Sequence, residues 1–150
     1  MAYQAKRSKK VIEDFELVNE NGQVEHTLHV SLDAGSTVDK LRKRFVDLMR
    51  AQKKCSDVSL ENADADTVMD AYTELGKAVV SIIESVFGEE DGAVILAFYE
   101  NNYVEMSREV IPFISGVVLP KVNDIVAENK RQILSGYNRK QRRSFMKVKH

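Results

Sequence analysis

The adjacent pair Asn21-Gly22 constrains this chain more than any other feature in it. Asparagine and glycine best tolerate the positive φ angles of a type I′ turn, so the stretch from Glu13 to Leu32, EDFELVNENGQVEHTLHVSL, reads as a β-hairpin closed at that pair. With Asn21 and Gly22 as the two loop residues, Glu20 pairs with Gln23. The same register sets Phe15 opposite Leu28, Leu17 opposite His26 and Val11 opposite Leu32. Side chains alternate faces along a strand, so Phe15, Leu17, Val24, His26, Leu28, Val30 and Leu32 share one face. The other face carries Asp14, Glu16, Glu25, Thr27 and His29, with Val18 as an apolar exception. Turn chemistry and side-chain pattern thus select a single register. A lone two-stranded ribbon is marginally stable in water, so its apolar face requires a cover from the rest of the chain.

That cover is helical. Asp33-Ala34-Gly35-Ser36 reads as a turn, with Ser36 or Thr37 as N-cap of a helix. Val38, Leu41, Phe45, Leu48, Met49 and Gln52 mark its buried stripe to about Lys54. Its outer face is basic, with Lys40, Arg42, Lys43, Arg44, Arg50 and Lys53, and reads as a solvated surface. Lys54 to Ala63 reads as a polar connector. Asp64 or Asp66 caps a second helix, whose apolar positions run from Val68 through Ala71, Tyr72, Leu75, Val79, Ile82, Ile83 and Val86 to Phe87. Gly88 ends it, and Glu89, Glu90 and Asp91 favour a new helix start. Ala93 to Tyr99 reads as a short buried helix broken at Asn101-Asn102. Tyr103 to about Leu134 is helical in one kinked piece or two, because Pro112 and Pro120 each remove a backbone donor. Gly136 is the expected stop. The expected fold is therefore α+β: a small antiparallel sheet, the N-terminal hairpin, on a domain of four to five helices spanning 1–135, with a basic tail over 136–150.

A 150-residue chain with 43% hydrophobic and 30% charged residues is ordinary for a soluble single domain. The net charge of −1 gives no overall bias toward nucleic acid or membrane, but the charges are unevenly placed. Acidic residues dominate between Ser56 and Glu109. From Lys130 to His150 there is no Asp or Glu, against Lys130, Arg131, Arg139, Lys140, Arg142, Arg143, Lys147 and Lys149. The lone Cys55 excludes an internal disulfide and suits a reducing compartment. The apolar stretch Val110 to Leu119 is interrupted by Pro112, Ser115 and Gly116 and is expected to be too short for a bilayer. No signal-peptide pattern opens the chain, and a cytoplasmic location is expected.

Catalytic chemistry finds no foothold. The glycines form no phosphate-binding loop. His26 and His29 fall on opposite faces of a strand and cannot share a metal ion. Cys55 has no histidine placed to activate it. Asp57, Glu61, Asp64, Asp66 and Asp70 lack the spacing of an EF-hand loop. No enzyme activity, cofactor or metal is expected. Two features suit partners instead. Ile111, Phe113, Val117 and Val118 widen the apolar face of the last helix beyond one stripe, as a groove for another helix would. Arg139, Lys140, Arg142 and Arg143, with Tyr137 and Phe145, could neutralise phosphates and stack on bases. The hairpin edges are open to self-association.

Three segments together carry a resemblance: KRSKKVIEDFELVNENGQVEHTLHVSLDA at the start, the kinked apolar VIPFISGVVLPKVNDIV, and the closing YNRKQRRSFMK. In their order and character, over most of its length, the chain resembles the small tail assembly chaperones of long-tailed phages and prophages of Gram-positive bacteria. The resemblance implies a non-enzymatic role: coating the long helical tape measure protein before the tail tube polymerises around it. The implied partners are the tape measure protein and the tail tube protein. The implied place is the host cytoplasm and not the finished virion, and a longer frameshifted form is implied beside this short one. The competing expectations are a nucleic-acid-binding accessory protein acting through the basic tail, and a structural head–tail or tail component.

Overall fold

A computed structural model describes residues 2–5, 7, 9–60 and 63–149, with side chains described as far as 135 and excepting Leu60. The fold is α+β. Two antiparallel strands, β1 (Lys10–Val18) and β2 (Val24–Asp33), form the only sheet among the described residues. Three helical runs follow them, in place of the four to five expected: α1 (Ala34–Leu60), α2 (Ala65–Phe98) and α3 (103–149).

The hairpin register is as read from Val11↔Leu32 to Leu17↔His26, but the turn is different. The Gly22 N–H donates to the Asn19 carbonyl at 3.0 Å and the Asn19 N–H to the Gln23 carbonyl at 2.9 Å. Gly22 has φ +79°, whereas Asn21 is not among the residues of positive φ. This is a three-residue loop, Glu20-Asn21-Gly22, in which the glycine supplies the left-handed position. Asn19 holds it: its Oδ1 accepts from the N–H groups of Asn21 and Gln23, both at 3.0 Å. The loop shifts the pairing by one residue, giving Val18↔Val24, and an irregularity between Leu17 and Val18 restores the read register below it. Val24 and His26 sit at the turn end, exposed, while Val11, Leu17, Leu28, Val30 and Leu32 are buried.

α1 starts directly off β2, earlier than expected. Asp33 does the work assigned to Ser36 or Thr37: its carboxylate accepts from the Gly35 N–H at 3.0 Å, and the Thr37 hydroxyl donates back to the Asp33 carbonyl at 2.6 Å. The helix also runs through the supposed connector to Leu60. Leu41, Leu48, Ala51 and Val58 carry its buried stripe, and Met49 stands exposed.

α2 is capped as expected, with the Thr67 N–H on Asp64 Oδ1 at 2.8 Å. Gly88 leaves helical geometry at φ 87°, ψ 169°, a conformation open in practice to glycine alone, and helical bonding resumes at once. Ala71, Leu75, Val79, Ile82, Ile83, Val86 and Ile95 face the core. The run ends in a Schellman closure: Asn101 N–H to Leu96 carbonyl at 3.0 Å and Glu100 N–H to Ala97 carbonyl at 3.2 Å. Its left-handed position, commonly glycine, is Glu100 at φ 52°.

α3 is one continuous run in four segments, Tyr103–Glu109, Ile111–Phe113, a π-helical turn Ile114–Val118, and Leu119–Lys149. Asn102 caps it, accepting from the Glu105 N–H at 3.1 Å. The π turn answers Pro120. In an α-helix that residue would lack a donor for the Gly116 carbonyl and press its ring on it. Here the Leu119 N–H reaches back five residues to the Ile114 carbonyl, and the widened turn gives the ring room. Gly136 does not end the helix, which continues to Lys149.

Candidate partner-binding surface

The segment expected to form an apolar groove is largely consumed by the core. Ile111 is buried and Val118 is fully so, together with Val110, Ile114 and Val122 of the same run. Phe113 closes a three-ring contact that joins β1, α2 and α3. Its ring centroid lies 4.8 Å from that of Phe15 on β1 and 6.0 Å from that of Phe87 on α2, and Phe15 lies 5.4 Å from Phe87. Such offset and tilted pairs add roughly 0.5–1.5 kcal/mol each beyond area burial. Val117 is half-buried. Ile111 and Val118 thus pack within the core, and the half-buried Phe113 packs on Phe15 and Phe87. Arg139, Lys140, Arg142 and Arg143 lie outside the residues whose side chains are described.

α3 is long enough that the length argument against a membrane span no longer applies. Tyr103–Ser135 contains an 18-residue window of mean hydropathy 1.5. Much of that apolarity is accounted for by side chains facing the hairpin, α1 and α2.

The placement of α3 against α1 exposes a different surface. Gln52 Nε2 donates to Ser107 Oγ at 2.8 Å and Arg42 Nη2 to Asn123 Oδ1 at 3.0 Å. The two helices therefore run antiparallel, with Lys121 also paired to Glu13 of β1. Beyond this contact α1 has only residues 34–42 left, roughly 12 Å of helix, while α3 has 123–149, roughly 39 Å. From Ala127 to Ser135 every side chain except Asn129 is exposed. Ile133 is 72% and Leu134 53% exposed. The stretch 127–135 of α3 lies past its contacts with α1 and exposes Ile133 and Leu134, and no Asp or Glu follows Glu128 in the sequence.

The remaining candidates are quiet. His26 is exposed, and His29 pairs with Asp14 on the outer face at 2.6 Å. The half-buried Cys55 thiol donates to the Ala71 carbonyl at 3.2 Å, and burial pushes its pKa up, away from the reactive thiolate. Among the described residues no group of three or more His, Cys, Asp or Glu could hold a metal ion. Part of the basic face of α1 makes contacts within the fold: Arg42 reaches Asn123, and the neighbouring Lys54 pairs with Glu74 at 2.9 Å.

In the part of α3 past α1, only the basic Arg139, Lys140, Arg142 and Arg143 read from the sequence as an interaction surface; Ile133 and Leu134 do not. The signal for them is the apolar spacing Val122, Val126, Ile133 continuing past the last residue that anything in the chain can cover. Comparison with protein-family models, with curated proteins and with solved structures finds no match at the level of a family, a relative or a fold.

Proposed function

We propose that the chain is a non-enzymatic assembly chaperone that holds a long amphipathic helical client in solution, in the manner of the phage tail assembly chaperones it resembles. The observation that carries this reading is the exposed stretch 127–135 of α3. A helix that leaves its domain with Ile133 and Leu134 exposed offers an apolar strip along which another helix packs at i, i+3, i+4, i+7 spacing. Its cations, with no Asp or Glu after Glu128, favour a client with acidic flanks. The client is the tape measure protein, with the tail tube protein as its successor on the same helix. The chaperone acts in the host cytoplasm and is left out of the virion.

The test is co-expression with the long helical protein encoded beside it. The full chain keeps that client in the soluble fraction, and a chain with Ile133→Glu and Leu134→Glu leaves it in the pellet. Equal precipitation with and without the full chain would rule the reading out. The positive charge of 130–149 favours nucleic acid as the second reading. That reading requires salt-sensitive DNA or RNA binding that is lost on deleting 138–150. Recovery of the protein in purified virions would instead favour a structural component.

A further inference from the structure

One flank of α1 is free of α3, which packs on α1 through Gln52 and Arg42. On that flank α1 and α2 run side by side, joined at one end by the Cys55 thiol on the Ala71 carbonyl at 3.2 Å and by Lys54 paired to Glu74 at 2.9 Å. From this pair to Arg44 and Ser81 the two helices leave a groove of about 420 Å³ between them. Its floor is small and apolar, the buried Ala51 and the half-buried Ala78. Its rims are cationic, with Arg44 and Arg50 on α1 and Lys77 on α2.

The charge on this flank is not balanced within the fold. From Lys40 to Lys54 the sequence has seven Lys and Arg against one acid, Asp47. Glu74 is taken by Lys54, and among the described residues Arg44, Arg50 and Lys77 form no ion pair. Asp47 is then the one carboxylate left in the groove against these three cations.

An apolar floor between two cationic rims is the complement of an acidic amphipathic helix. The apolar ridge of such a helix enters between α1 and α2, where the alanines leave room for larger side chains. Acidic residues on both sides of the ridge then meet the rims, as charges flank the apolar seam of a coiled coil. A nucleic-acid backbone would match the rims and leave the alanine floor uncovered. We propose that the α1–α2 groove docks an amphipathic helix of a partner protein, with acidic residues on either side of its apolar ridge. This site is separate from the stretch 127–135 of α3 and does not rest on the client reading.

Amide NMR titration of the isotope-labelled full chain tests it. The probe is a synthetic helical peptide with leucine along one face and glutamate on either side of that face. Shifts concentrate at 44–54 and 74–81, and binding weakens as salt rises. Arg50→Glu with Lys77→Glu, both exposed side chains, weakens binding roughly tenfold. The same variant prefers the peptide remade with lysine in place of glutamate, a gain that a damaged fold would not give. Ile133→Glu with Leu134→Glu changes neither the shifts nor the affinity, which keeps this site distinct from the one on α3. Absence of shifts at 44–54 and 74–81 overturns the proposal. So does a wild type that binds the lysine peptide equally well, or a DNA duplex that produces the same shifts at lower concentration, which would assign the groove to phosphates.

Discussion

At the scale of single residues, the hairpin turn separates what a dipeptide says from what its neighbours decide. Asn-Gly signals a tight turn correctly, but Asn19 supplies two side-chain acceptor bonds that a two-residue loop would not use. Asn19→Ala is expected to cost roughly 1 kcal/mol through loss of these bonds. Gly22→Ala is expected to cost about 1–2 kcal/mol through its left-handed backbone. Asn21→Ala should be near neutral, because Asn21 does not occupy positive φ. Urea denaturation of the three variants distinguishes this loop from a type I′ turn, in which Asn21→Ala would be costly. Gly88 makes the complementary case. A Cβ there would meet nothing within 4 Å, so the whole expected loss for Gly88→Ala, about 1–3 kcal/mol, is backbone strain.

At the scale of elements, most of the helix-forming pattern was legible. The buried side of α2 follows the predicted spacing except at the exposed Tyr72, and Asp64 caps it as expected, whereas Gly88 kinks the run without ending it. The misreadings have two causes: polar local sequence and helix breakers were each given more weight than periodicity. Cys55 and Val58 continue the stripe of α1 from Ala51 at helical spacing, yet lysines, Ser56 and Asp57 around them suggested a connector. The count of four to five helices came from ending one helix at Gly88 and allowing a proline to end another; the run continues through Gly88, and the π turn absorbs Pro120. Close packing between elements was not legible at all. The Tyr103 ring lies 2.6 Å from where a Cβ on Gly76 would stand. Gly76→Ala is therefore expected to destabilise by roughly 1–3 kcal/mol through overpacking. In a Tyr103→Ala background the same change should become stabilising, by up to about 1 kcal/mol of helix propensity. A double-mutant cycle reads that change of sign. Phe113→Ala opens the three-ring joint, and its half-buried ring places the expected loss near the lower end of roughly 3–5 kcal/mol.

At the scale of the whole molecule, the interaction surface was the least legible part. The sequence shows which residues are apolar. It does not show which of them the fold consumes, and Ile111 and Val118 look as available as Ile133 although the fold buries them. What remains exposed after folding includes the stretch 127–135 of α3, with Ile133 and Leu134. Amide hydrogen exchange on the full chain, alone and saturated with the helical client, tests the client reading most directly. Amides of a projecting helix exchange at the low-stability end of a protein until a partner covers them. If the end of α3 is the client surface, protection rises over 127–149 on client binding while 107–123, already packed on α1, changes little. Protection confined to 107–123, or no change over 127–149, would contradict it.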